Sequence, residues 1–198
     1  MKRDVTVCIP TIDTRRALLA EALESVYAQT EQAEAIAIAL DGRREGAPTT
    51  RNRAARMSRT TWTTFIDDDD RYFEHHIQHT LDCAAESGAD LVATYFEVIG
   101  NGTDPFPPTH RGRTYDPANP HIFAIHWLVR TELLHEAMDS MGGFQVDPDG
   151  TGNWGCQDAP LINELHRLSG GNFFASPEAT LKWRHHRANT SGVPGRIR

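Results

Sequence analysis

The chain has 198 residues, 39% hydrophobic and 24% charged, with a formal net charge of -7. That length suits one domain with a real core, and the composition excludes wholesale disorder. A globally acidic chain is also a poor non-specific nucleic-acid binder, since neutralising phosphates supplies most of that affinity.

Three scattered cysteines, Cys8, Cys83 and Cys156, include no CxxC pair. A disulfide framework is not expected, and a reducing cytoplasm fits. No apolar stretch approaches membrane-spanning length, and the N-terminal strand is too short for a signal segment. Arginines crowd two places: Arg43 to Arg59, and the tail after Lys182. Basic patches on an acidic chain suit a small phosphorylated ligand.

In chain order, Val5 to Pro10 reads as a buried strand closed by proline. Arg15 to Gln29 reads as an amphipathic helix with Leu19, Ala22, Leu23, Val26 and Tyr27 on one face. Ala35 to Leu40 is a second strand, ended by the Asp41-Gly42 turn signal. Gly46 to Thr50 reads as a loop and Arg51 to Ser58 as a short helix. Thr61 to Ile66 is a third strand, followed at once by Asp67, Asp68, Asp69 and Asp70. Glu74 to Ser87 reads as a helix with Ile77, Leu81, Ala84 and Ala85 inward and Gly88 at its end. Asp90 to Ile99 is a fourth strand, and Asn101 to Pro120 a polar loop or flap. Ile122 to Val129 reads as strand or buried helix start, Thr131 to Met141 as a helix ended by Gly142-Gly143. Asp147 to Gly155 is glycine-rich. Asp158 to Leu168 is a helix, and Phe173 to Trp183 reads as two short strands around Ser176-Pro177.

This alternation predicts a doubly wound, mainly parallel α/β sheet in a single domain. Ligands of such sheets sit beyond the carboxyl ends of the strands. Pro10 to Asp13, Asp41 to Arg43 and the four aspartates fall there. Consecutive aspartates repel one another, which raises their pKa values or recruits a cation. Carboxylate oxygens suit Mg²⁺ or Mn²⁺, which bridge diphosphate oxygens. A solvated acidic turn before the next helix is the plainer alternative. No GxGxxG follows the first strand and GxxxxGK[ST] does not occur, which disfavours dinucleotide-binding dehydrogenases and P-loop NTPases.

Residues 5–30, VTVCIPTIDTRRALLAEALESVYAQT, resemble the opening of family-2 glycosyltransferases of the GT-A fold. The resemblance continues in order through Asp41-Gly42, Thr50 to Ala55 (TRNRAA), Phe65 to Tyr72 (FIDDDDRY), Leu128 to Arg130, Gly142-Gly143-Phe144, and Gln157-Asp158 with Leu165, Arg167 and Leu168. Trp183 to Gly192 resembles the tails of small actinobacteriophage-type members.

The resemblance implies a metal-dependent, inverting transfer of a sugar from a nucleoside-diphosphate sugar, UDP being the first candidate, to an acceptor hydroxyl. Asp67 and Asp69 match the DXD acids, with Asp70 a rival to Asp69 as metal ligand. Asp158 matches the catalytic base. Thr11, Asp41, Asp67, Asp68 and either Arg51 or Arg53 would contact the nucleotide sugar. His185 or His186 would complete the metal shell, and a histidine ligand suits Mn²⁺ better than Mg²⁺. Exposed histidines are the alternative. Trp154 would stack on a sugar face or serve as core or hinge. Residues 1–100 would form the donor-binding half and 101–198 the acceptor half. The acceptor is open among glycan, protein and modified nucleic acid, and a homo-oligomer is allowed.

Gln157 departs from the family's usual glutamate. An amide cannot act as base, although Asp158 can. Two other readings are a metal-dependent nucleotidyltransferase or pyrophosphohydrolase, and a non-catalytic nucleotide-sugar-binding module. His75 and His79, at i and i+4, have zinc-binding spacing but no third ligand near them in sequence.

Overall fold

The computed structural model describes residues 2–101, 111–117, 127–145 and 158–185. Strand β1 (Val5–Thr11) is buried throughout, as its β-branched run requires. A 3-10 turn, Asp13–Arg15, leads into helix α1 (Arg16–Tyr27). Strand β2 (Ala35–Leu40) follows, then helix α2 (Ala47–Met57), β3 (Trp62–Phe65), a two-residue β4 (Arg71–Tyr72) and helix α3 (His76–Ser87). The second half has β5 (Leu91–Gly100), β6 (Trp127–Arg130), α4 (Thr131–Met141), α5 (Ala159–Leu168) and β7 (Phe173–His185).

Among the described residues the strands form one sheet in the order β2-β1-β3-β6-β5-β7-β4. β1 pairs in parallel with β2 and β3, and β5 in parallel with β7. The shorter pairings of β6 and β4 are antiparallel. Parallel pairing therefore dominates by length, and the sheet has the expected GT-A-type α/β arrangement.

Both faces are covered, because strand side chains alternate between them. Val5, Val7 and Ile9 point to one face with Ala22 and Val26 of α1 and Ile77 and Leu81 of α3. Cys8, Phe65 and Trp127 point to the other with Ala54 and Ala55 of α2, Leu134 of α4 and Leu161 and Leu165 of α5. β2 shows how closely α2 approaches. Its inward residues are the small Ala37 and Ala39, whereas Ile38 and Leu40 are exposed.

Several expectations are corrected. Residues 47–50 are helical rather than loop: Pro48 sits in the first turn of α2, where its missing N–H costs nothing. Phe173–His185 is one strand, not two. Its register steps from Ala93↔Ala175 to Tyr95↔Ala179, so a bulge absorbs Ser176-Pro177 without ending the strand. Strand β4 was not anticipated; two residues carry no periodic signal. Ala85 and Tyr27 are exposed instead of inward. The 122–129 segment is strand where described, from Trp127 onward. Most of the expected loops at 101–120 and 147–155, with Trp154, Cys156, Gln157 and His186, lie outside the described residues.

Candidate active site

The carboxyl ends of β1, β2 and β3 open onto one cleft of about 250 Å³. Thr11 ends β1, Asp41 follows β2, and the four aspartates follow β3. Their positions follow from adjacent parallel strands, which bring successive strand ends to one edge. Arg51 of α2 and Trp183 of β7 form further walls.

The acidic run is a tight turn, with the Asp70 N–H donating to the Asp67 carbonyl at 3.1 Å. Asp68 turns inward. Its Oδ2 accepts the Thr11 hydroxyl at 2.7 Å and its Oδ1 accepts Arg15 Nη1 at 2.8 Å. The same Arg15 nitrogen reaches Asp69 Oδ2 at 2.9 Å. Asp67 takes both oxygens to Arg51 Nη2, at 3.0 Å each. Asp70 is 3% exposed and accepts the Arg184 backbone N–H at 2.8 Å. The Arg184 guanidinium donates to the Asp69 carbonyl at 2.8 Å and also reaches Glu21, which it shares with Arg71.

Arginines are thus threaded between the acids, yet the charge is not balanced at Asp70. Burial, then Asp67 and Asp69, hold its carboxyl well above the usual range. One oxygen each from Asp67, Asp69 and Asp70 lies within 4.8 Å of the others. On Mg²⁺ at 2.0–2.1 Å adjacent ligands are about 2.9 Å apart and opposite ones about 4.2 Å, so the three carboxylates would close in on an ion that they shared. The donor set, all hard oxygen, fits Mg²⁺ or Mn²⁺. His185 stands outside this group; its ring lies 5.7 Å from that of Trp183.

Asp158, at the N-terminus of α5, sits behind Arg51, with Oδ1 at 3.7 Å from Nη1. That oxygen is buried and has no hydrogen-bond partner among the described residues. Burial raises the Asp158 carboxyl, Arg51 lowers it, Asp67 raises it further, and the net is upward. Arg51, only 8% exposed, stays protonated: burial opposes its charge, but Asp67 and Asp158 outweigh that.

Asp41 binds backbone. Its two oxygens accept the N–H groups of Glu45 and Gly46, each at 2.8 Å, which shapes the loop into α2. Arg53 points away from the acids, to Glu45 at 2.7 Å and the Leu40 carbonyl at 3.1 Å. Between the two arginines, Arg51 is the one in the cleft.

Sequence reasoning missed Arg15, Arg184 and Trp183 as site residues. Arg15 carried a signal: it follows the Pro-Thr end of β1 by one turn. Arg184 carried only its place in the basic C-terminal stretch, since its partner lies 114 residues away. Asn52 was also missed. Its side chain donates to the Phe144 carbonyl at 2.9 Å and accepts the Phe144 N–H at 2.8 Å, tying α2 to the Gly142-Gly143 turn. Gly143 must be glycine there: at φ +82° an added Cβ would lie 2.3 Å from Asn52 Oδ1.

The sequence pattern described as Glycosyl transferase family 2 matches residues 38–150. The chain belongs to this family. Among solved structures, this family-2 chain resembles S. aureus TarS 1-349 in complex with UDP-GlcNAc, with a TM-score of 0.74 and 13% identity over 96% of this chain and 61% of that one. The same TarS fragment in complex with UDP gives 0.68 and 14%, over 92% and 60%. The mannosyltransferase PcManGT from Pyrobaculum calidifontis, in complex with GDP-Man and Mn2+, gives 0.64 and 15%, over 94% and 58%. At such identities the likeness shows the fold. This chain spans about three-fifths of the length of these structures. No curated protein sequence matches it. Among the described residues no helix is long and apolar enough to cross a membrane.

Proposed function

We propose that the chain is a metal-dependent, inverting glycosyltransferase acting on a nucleoside-diphosphate sugar. The observation that carries this reading is the convergence of Asp67, Asp69 and Asp70 at the strand ends of a family-2 fold, one guanidinium away from Asp158. The bound UDP, UDP-GlcNAc and GDP-Man of the structurally similar proteins support the donor class. The Mn2+ of PcManGT supports the ion.

In this reading Asp67, Asp69 and Asp70 hold Mn²⁺ or Mg²⁺, with His185 or His186 as a further ligand. The ion would neutralise charge on the departing diphosphate. Thr11, Asp41, Asp68 and Arg51 line the nucleotide side, and Arg15 fixes the orientation of Asp68 and Asp69. Asp158 takes the proton from the acceptor hydroxyl as that oxygen bonds to the anomeric carbon and the bond to the diphosphate breaks on the opposite face. Its raised pKa and an Oδ1 without a hydrogen-bond partner among the described residues suit a base, because a carboxyl of higher pKa accepts a proton more readily near neutral pH. Trp154, outside the described residues, would cover the sugar. UDP is the first candidate nucleotide, and the acceptor is a hydroxyl of a glycan, protein or modified nucleic acid.

Incubation with UDP- and GDP-sugars and Mn²⁺, following release of nucleoside diphosphate, tests this. Slow release from one donor, accelerated by an acceptor hydroxyl, is expected. Release of nucleoside monophosphate and sugar phosphate would point instead to attack at phosphorus.

A further inference from the structure

Strand β2 is an edge of the sheet, paired only with β1 among the described residues. Edge strands are normally guarded by lysine, proline, a bulge or a covering segment. β2 has none of the first three: its six residues, AIAIAL, are all apolar, and its register with β1 runs without a shift. The Asp41 N–H donates to the Thr11 carbonyl at 2.8 Å, so odd-numbered residues of β2 turn their backbone groups toward β1. Those of Ile36, Ile38 and Leu40 therefore face outward. Arg53, which reaches the Leu40 carbonyl at 3.1 Å, agrees with that phase. The side chains of the same three residues share the sheet face that carries α1. There α1 packs toward β4 and leaves Ile38 and Leu40 40% and 53% exposed. Glu34 precedes the strand, and Arg43 and Arg44 follow it, all exposed.

From these observations we propose that β2 is the interface of a two-fold homodimer, in which it pairs antiparallel with β2 of a second copy of this chain. In an antiparallel ladder the pairs that exchange both backbone bonds alternate along the strand, and opposed residues share a face. Placing Ile38 opposite its own copy satisfies both conditions over the whole strand. Ile36 then stands opposite Leu40 of the second copy, and the outward N–H and C=O groups of all three residues gain partners. The Leu40 carbonyl keeps Arg53 as well, since a carbonyl has two lone pairs. On the α1 face the two sets of Ile36, Ile38 and Leu40 form a cross-strand apolar patch. A slip of one residue would oppose Ile38 to a residue whose backbone groups belong to β1, so the register is specified. The contact is isologous and closes on itself, with one patch serving both subunits.

Charge favours a second copy over an unrelated strand. In the same register Glu34 stands opposite Gly42 of the second copy, beside its Arg43 and Arg44, and the two-fold axis repeats the contact at the other end. Opposite charges thus meet at both ends of the pairing, whereas a parallel arrangement would set acid beside acid and base beside base. The product is one continuous sheet with seven strands from each copy. Because the two β2 strands run in opposite directions, the two acidic clefts open at opposite edges of that sheet.

Sedimentation velocity of the full chain over the micromolar range tests this, with backbone amide exchange as a second readout. The expected result is a reversible dimer with slow exchange at Ile36, Ile38 and Leu40. Ile38→Lys sets two ammonium groups directly opposite each other and should weaken dimerisation at least about tenfold. Its far-UV circular dichroism should be unchanged, and the outward amides should exchange fast. Glu34→Arg and Arg43→Glu should each weaken dimerisation at least about threefold. The two reversals together should restore it, a rescue that a folding defect does not produce. A monomer throughout that range, a dimer indifferent to Ile38→Lys, or a double reversal no better than either single one would each overturn the proposal. Slow exchange of the outward amides in a monomer would also overturn it, by showing that another segment of the chain covers β2. None of these readouts depends on metal, donor binding or transfer.

Discussion

Replacing Asp70 by asparagine removes one charge from the most crowded point of the cleft while keeping an oxygen for the Arg184 N–H at 2.8 Å. Two carboxylates 4.8 Å apart, the outer limit of the spacing here, repel by roughly 3.5 kcal/mol at an effective dielectric near 20. Asp70 faces two such neighbours, Asp67 and Asp69, but Arg51 and Arg15 offset much of each. A residual of about 1–2 kcal/mol should therefore be relieved by Asp70→Asn, raising the melting temperature of chelator-treated protein by about 3–6 °C for a chain of this size. Because the folded pKa is raised, protonated Asp70 adds stability below the ordinary carboxylate range, and that contribution is lost as pH rises through the raised value. Mild acidification should thus narrow the gap between wild type and variant. With Mn²⁺ at about a hundred times its Kd, wild type should gain about 2.7 kcal/mol, and Asp70→Asn much less. Differential scanning fluorimetry with and without Mn²⁺ reads both effects. A variant less stable than wild type without metal, or one that keeps the whole Mn²⁺ gain, would refute the reasoning.

Asp158→Asn should bind donor normally and lose transfer by at least about a hundredfold, at the low end of general-base contributions; near-normal turnover would exclude Asp158 as base. The acid limb of kcat/KM should fall above the ordinary carboxylate range, since activity needs ionised Asp158 and its pKa is raised. A limb at an ordinary carboxylate pKa would contradict this. Arg51→Ala should cost about 3 kcal/mol in urea unfolding by leaving Asp67 and Asp158 without their shared partner. Asn52→Ala should cost about 1–3 kcal/mol, because the Phe144 N–H and carbonyl both lose their partner, and Gly143→Ala should be destabilising in the same assay.

Much of the fold was legible because buried parallel strands are short apolar runs between turn signals. Val5–Thr11, Ala35–Leu40 and the strand before the aspartates all have that form, and Thr131–Met141 has a clear helical period. The acidic run could be assigned to the cleft because it directly follows a strand. Local signals failed where tertiary context decides. Ser176-Pro177 reads as a strand break, yet a bulge carries β7 through it. Gly46 to Thr50 reads as loop, although Pro48 is compatible with a first helical turn. Partners distant in sequence were out of reach: Arg15 for Asp68, Arg184 for Asp70, and Glu178 for His75. The Arg51 and Arg53 alternative could not be decided without knowing which face of α2 meets β1 and β2.

The central claim is that Asp67, Asp69 and Asp70 form a cation-dependent diphosphate site. Calorimetric titration of UDP and GDP, with Mn²⁺ and with chelator, tests it most directly in wild type and Asp69→Ala. The account predicts at least about tenfold tighter binding of one nucleotide with Mn²⁺, a gain of about 1.4 kcal/mol, and its loss in Asp69→Ala. Equal affinity with and without the ion, or an unchanged gain in the variant, would contradict it.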